Sequence, residues 1–211
     1  MGTSRFKMKP YTPFLTRRFD LALQVASELH FNQERKKTGI PYIAHLMAVC
    51  ALVLEAGGDE DQAIAALLHD AVEDQGGLPT LDAIRRLFGD RVATAVEACS
   101  ESAVSNPEEK LPWRKRKQEY LDHLRHADQD ALIVAVADKL HNARSILSDY
   151  REVGEALWSR FNAPKEDQLW FYVALVQTLR STNAPAALVD ELDNLVTELS
   201  LECAKSAKGA K

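Results

Sequence analysis

A chain of 211 residues that is 46% hydrophobic and 27% charged has the balance of an ordinary globule, with length for one large domain or two small ones and a sizeable core. A formal net charge of -5 excludes broad nucleic-acid binding and leaves a small anionic ligand, gripped by a local basic patch, as the expected partner. No apolar run approaches the roughly 18 to 20 residues that span a bilayer, and the start Met1-Gly2-Thr3-Ser4-Arg5 has no secretory stretch, so no membrane association and a cytoplasmic location are expected.

Gly and Pro number only 9 and 8, apolar residues recur at three- and four-residue steps, and alternating strand-like runs are missing. An all-α fold of about eight to ten helices follows. The first helix is expected over about 16–32, with Leu21, Val25 and Leu29 in register, followed by the basic turn Glu34-Arg35-Lys36-Lys37-Thr38-Gly39. Pro41 restarts the chain into a helix over about 43–56, which Gly57-Gly58 stops; a third is expected to run unbroken from Asp59 to Gln75, before Gly76-Gly77. Shorter helices fit 81–88 and 91–102, and Ser105-Asn106-Pro107 reads as a polar loop. The remaining helices are expected over 113–126, 129–150, 155–161, 165–180 and 186–201, with a frayed tail from Lys205 to Lys211. No repeat or compositional break divides the chain, which reads as one domain over 1–211. Cys50, Cys99 and Cys203 are odd in number and widely spaced, which fits packing residues better than disulfides or a Cys-rich metal site.

Polar groups stand out against this apolar frame. His69-Asp70 follows Ala63-Ile64-Ala65-Ala66-Leu67-Leu68, a run that buries its helix. On a continuous helix Glu73 and Asp74 would share their face, and carboxylates crowded there repel one another unless a divalent cation intervenes. The ordinary alternative is a core histidine beside a solvated helix end. Asp138 lies behind Ile133-Val134-Ala135-Val136-Ala137 and should be buried, so it must ligate a metal, pair with a cation or be protonated. Adjacent Lys139 projects about 100° away and Arg144 lies on another face, which argues against a pair within the helix. His141 and Asn142 would sit beside Asp138. His45, among the apolar neighbours of Pro41-Tyr42-Ile43-Ala44, completes a mixed nitrogen and oxygen donor set suited to Mn²⁺, Fe²⁺ or Zn²⁺ rather than to an all-oxygen Ca²⁺ cage.

The order His45, His69-Asp70, Asp138 resembles the HD phosphohydrolase superfamily. The segments Gly39-Ile40-Pro41-Tyr42-Ile43-Ala44-His45, Ala66-Leu67-Leu68-His69-Asp70-Ala71-Val72-Glu73-Asp74 and Ala137-Asp138-Lys139-Leu140-His141-Asn142-Ala143-Arg144 are similar to the hydrolase domain of RelA/SpoT proteins, over about residues 17–180. Pro112-Trp113-Arg114, Lys117, Tyr120-Leu121 and Trp158-Ser159-Arg160-Phe161-Asn162 look like a bacterial branch of stand-alone small alarmone hydrolases. Two features depart from the pattern: Leu46 replaces the proline after the first histidine, and Cys99-Ser100-Glu101-Ser102 replaces a Thr-Lys pair.

The resemblance implies a single HD-type helical bundle that removes the 3′-pyrophosphate of guanosine alarmones such as ppGpp. It implies one Mn²⁺ per chain on His45, His69, Asp70 and Asp138, with Glu73 and Asp74 as proton-transfer groups. It further implies nucleotide contacts from Arg35, Lys36 and Lys37 and from Asn142, Arg144 and Ser145, although Arg144 has the alternative of tying helices together through an acidic partner. Rival readings are an HD hydrolase for adenosine alarmones or the 2′-phosphate of NADPH, and a metal-dependent nucleotide-binding module without catalysis. Nothing in the sequence specifies an oligomeric state.

Overall fold

The computed structural model describes residues 15–100 and 111–209, and within them the fold is all-α. The helices are α1 (Arg17–Leu29), α2 (Ile43–Glu55), α3 (Glu60–Leu68), α4 (Ala71–Asp74), α5 (Leu78–Phe88), α6 (Asp90–Cys99), α7 (Trp113–Leu124), α8 (Gln129–Val153), α9 (Lys165–Arg180) and α10 (Ala186–Gly209), with a 3-10 segment over Gly154–Arg160. The only extended pairing among the described residues is an isolated bridge between Glu34 and Pro41. The expected loop at Ser105-Asn106-Pro107 and the chain start lie outside the described residues.

Local chemistry explains where the helices begin. Thr16 caps α1 by accepting the Arg18 N–H, and Asp59 with Gln62 forms a reciprocal capping box at α3. Asp128 caps α8 by accepting the Ala131 N–H at 2.9 Å. At the end of α4, Gly76 and Gly77 take φ of 122° and 64°, and the Gly77 N–H reaches back to the Val72 carbonyl, a conformation that side chains rarely adopt.

Helix α3 is the axis of the bundle. All six residues from Ala63 to Leu68 are buried, and α3 packs against α1, α2, α6 and α8. Its alanines let neighbouring backbones approach, while Ile64, Leu67 and Leu68 contribute roughly 1.5–3 kcal/mol each by burial. Helix α8 is buried from Ala131 to Asp138 and is covered on another side by α10. Three buried helices therefore converge with His45, His69 and Asp138 on their inner faces.

Four boundaries differ from the sequence expectation. The helix expected over 59–75 breaks at His69-Asp70 and restarts as α4, so this pair sits in a turn rather than on a continuous face. Helix α5 starts at Leu78, because Pro79 fits the first turn of a helix. The segment after Gly154 winds as 3-10 rather than α. Helix α10 continues to Gly209 where fraying was expected: Ala204 to Ala207 carry high helix propensity without needing an apolar stripe. The three cysteines are free, with Cys50 and Cys203 buried.

Candidate metal centre

His45 and His69 are 1% and 2% exposed and Asp138 is 5% exposed, so these polar groups sit where only strong partners make them tolerable. They face one another. His45 Nε2 lies 3.2 Å from Asp138 Oδ1 and 3.6 Å from Asp70 Oδ2, while His69 Nε2 lies 3.0 Å from Asp70 Oδ2 and 3.7 Å from Asp138 Oδ1. The Asp70 side chain is 23% exposed and gives the cluster its open edge.

The second nitrogen of each ring is engaged outside the quartet. His69 Nδ1 is 2.8 Å from the Ala66 carbonyl, which only accepts, so Nδ1 carries a proton and Nε2 is the ring nitrogen turned into the cluster. That Nε2 is buried and has no hydrogen-bond partner of acceptable geometry. His45 Nδ1 is 2.8 Å from His141 Nδ1, so one ring donates to the other. Burial, with His45 and Arg35 close by, pushes His141 down to about 4. When His45 is the donor of that bond, its Nε2 is free to face the cluster as a lone pair.

A divalent cation fits this donor set. Two donors about 2.1 Å from a shared ion stand roughly 3 to 3.5 Å apart, close to the imidazole–carboxylate separations of 3.0 to 3.7 Å found here. A buried imidazole nitrogen with no partner is the feature that a metal ion satisfies. Without an ion the same groups form a tight ionic cluster. Burial would raise the carboxyls of Asp70 and Asp138, but His69 and His45 hold Asp70 well below the usual range, and Lys139 with both imidazoles does the same for Asp138. Burial works against a charged His69 imidazole, yet the two carboxylates raise it well above its ordinary value.

The structure corrects one expectation and separates others. Lys139 does reach Asp138: its flexible stem curls back to place Nζ 2.7 Å from Oδ2, beside the Tyr120 ring. Asn142 donates to Oδ1 at 2.5 Å, so Asp138 is anchored on both oxygens. Glu73 and Asp74 are exposed on α4, which restarts after the break at His69-Asp70. Lost hydration and the nearby Asp70 charge push the Asp74 carboxyl up, and the Gln33 amide, 2.7 Å away, opposes this. Arg35 lies half-buried near the Tyr42 ring and donates to Asn142 at 2.9 Å, one hydrogen bond from a quartet member. Lys36 is exposed. Lys37 holds φ at 57° and donates to the Ser159 carbonyl at 3.1 Å, tying the basic turn to the 3-10 segment. Arg144 pairs with Glu191 of α10 at 2.6 Å, the helix-tying arrangement, and Ser145 returns its hydroxyl to the His141 carbonyl.

Tyr42 was not singled out from the sequence, and its hydroxyl donates to Asp70 Oδ2 at 2.6 Å. Its place in the Pro41-Tyr42 restart beside His45 was the available signal. Hydrogen bonds to ligand carboxylates orient them, so Tyr42→Phe should weaken divalent-metal affinity by about 10- to 100-fold in a competition titration with the fold retained. Unchanged affinity would remove Tyr42 from the site.

The chain matches the HD domain family over residues 22–167. It is 34% identical over 179 residues to guanosine-3′,5′-bis(diphosphate) 3′-pyrophosphohydrolase MESH1 of Xenopus tropicalis, covering 82% of this chain and 90% of that protein. It is 32% identical over 136 residues to bifunctional (p)ppGpp synthase/hydrolase SpoT of Escherichia coli K12, covering 62% of this chain but 18% of that protein. Among solved structures, one described as a metazoan ortholog of SpoT that hydrolyses ppGpp and plays a role in starvation responses superposes with a TM-score of 0.68 at 27% identity, over 89% of this chain and 97% of that one. A Listeria monocytogenes protein superposes with a TM-score of 0.64 at 30% identity, over 74% of this chain and 97% of its own. With the match extending from α1 into α9 and spanning all four clustered side chains, this chain belongs to the HD domain family.

Proposed function

We propose that this protein is a metal-dependent phosphohydrolase that removes the 3′-pyrophosphate of guanosine alarmones, with the whole chain acting as one HD-type domain in the cytoplasm. The observation that carries the reading is the convergence of buried His45, His69 and Asp138 with Asp70, at the open edge, around the inward-facing His69 Nε2. The relatives named for ppGpp hydrolysis support the substrate class.

In this reading the four side chains hold one divalent ion, Mn²⁺ in preference to Fe²⁺ or Zn²⁺. When bound, such an ion supplies Lewis acidity and lowers the pKa of water at an open position. The remaining steps belong to the chain. Asp74 and Glu73, at the rim, orient water and accept its proton or return one to the leaving 3′-oxygen. Arg35 and Lys36 neutralise the terminal phosphate, while Lys37, Asn142 and Ser145 frame the nucleotide side; Arg144, paired with Glu191, ties α8 to α10 instead. Water oxygen bonds to the phosphorus on the 3′-oxygen, that P–O bond breaks, the 3′-oxygen takes up a proton and pyrophosphate departs intact.

The test is product identity in ¹⁸O-labelled water. With ppGpp and Mn²⁺, label should enter pyrophosphate and not GDP. Orthophosphate as the sole first product, or preferential turnover of NADPH or an adenosine alarmone, would overturn the assignment. Arg35→Ala removes a phosphate-facing charge and leaves the four proposed ligands in place, so KM for ppGpp should rise about tenfold or more with bound metal unchanged.

A further inference from the structure

We propose that Gln33, in the loop between α1 and α2, is a positioning residue that sets the orientation of the Asp74 carboxylate toward the reacting water. The inference rests on the reading of Asp74 as a proton-transfer group and adds the residue through which the fold aims it.

An ionised carboxylate only accepts hydrogen bonds, so the Gln33 atom 2.7 Å from Asp74 Oδ2 is the amide nitrogen. The carboxamide oxygen then faces the other way, where it meets two donors: His30 Nδ1 at 2.8 Å and Gln75 Nε2 at 2.5 Å. The other His30 ring nitrogen, Nε2, is buried and unpartnered, so Nδ1 makes the ring's one hydrogen bond. Every polar group in the chain of contacts thus agrees on one amide orientation. A glutamine side chain loses rotamer freedom when immobilised, and the two bonds to its oxygen offset that cost before Asp74 is engaged.

The backbone of Gln33 ties the same residue to the ligand side. Its carbonyl accepts the Tyr42 N–H at 2.9 Å and its N–H reaches the His30 carbonyl at 3.0 Å. The Tyr42 ring stacks on His30 with centroids 5.2 Å apart, and its hydroxyl holds Asp70. One short loop therefore fixes both the carboxylate assigned to the ion and the carboxylate assigned to the proton. Their relative placement matters, because a misplacement of about 1 Å can cost on the order of a hundredfold in rate.

The experiment uses Gln33→Met, which keeps length and volume but deletes the amide, and Gln33→Glu, which keeps oxygen acceptors for His30 and Gln75 but sets an acceptor against Asp74. Both should lower kcat for ppGpp by about 10- to 100-fold, with KM and metal content within twofold of wild type. If Gln33 only braced His30 and Gln75, Gln33→Glu would keep wild-type kcat, and that result overturns the proposal. In an Asp74→Ala background, Gln33→Met should cost less than about a further twofold; a full additional loss overturns it as well. Wild-type kcat in Asp74→Ala would fell the reading of Asp74 and the proposal with it, whereas a loss in Asp74→Ala with none in Gln33→Met fells the proposal alone. A crystal structure of Gln33→Met supplies a readout independent of substrate: Asp74 should leave its observed rotamer, and an unchanged pose contradicts the inference.

Discussion

His69→Ala should abolish stoichiometric metal binding and reduce kcat/KM for ppGpp by at least about a thousandfold, or roughly 4 kcal/mol of transition-state stabilisation. The size of the effect follows from the geometry: His69 Nε2 approaches both carboxylates and has no other partner, so its removal opens the quartet rather than weakening one contact. His69→Ala is a cleaner probe than Asp138→Ala. Removing Asp138 would also strip Lys139 of the carboxylate at 2.7 Å, and breaking a buried ion pair costs about 3–5 kcal/mol of stability. Metal analysis of the purified variant, with circular dichroism to confirm retained helix, checks the expectation. Full metal occupancy and wild-type turnover in His69→Ala would contradict it.

The second large effect separates chemistry from metal binding. Glu73→Gln and Asp74→Asn preserve shape but remove the ability to exchange a proton near neutral pH, so each should lower kcat by about 10² to 10⁴ while the metal stays bound. Both side chains sit on α4, outside the quartet, which is why metal occupancy should survive. A stopped assay under saturating ppGpp, paired with metal content on the same preparation, reads both quantities. Wild-type kcat in both variants would leave the rim carboxylates without a role.

The all-α class and the convergence of three buried helices were legible because apolar periodicity marks which faces point inward, and His45, His69 and Asp138 interrupt those faces. The break at His69-Asp70 was not legible. No glycine or proline announces it, and its cause is tertiary: Asp70 is engaged by Tyr42 from a distant loop and by His45 from α2. The same limit hid Gln33, whose partners His30, Asp74 and Gln75 come from segments about 40 residues apart. Lys139 was misjudged because helical angles locate a Cβ, whereas a four-carbon stem can curl back around the helix. Arg144 carried two sequence readings, and its pairing with Glu191 depends on α10 packing beside α8, which no local pattern encodes.

In the proposed function, one divalent ion on His45, His69, Asp70 and Asp138 makes this HD domain an alarmone hydrolase. This is tested most directly by removing the metal with a chelator, exchanging the chelator away, and adding Mn²⁺ back while metal per chain and ppGpp turnover are measured on the same samples. The account predicts no turnover in the metal-free protein and activity that rises in proportion to occupancy, reaching its plateau at one ion per chain. Full turnover with the site stripped, or a plateau that needs no ion at His45, His69, Asp70 and Asp138, would contradict it.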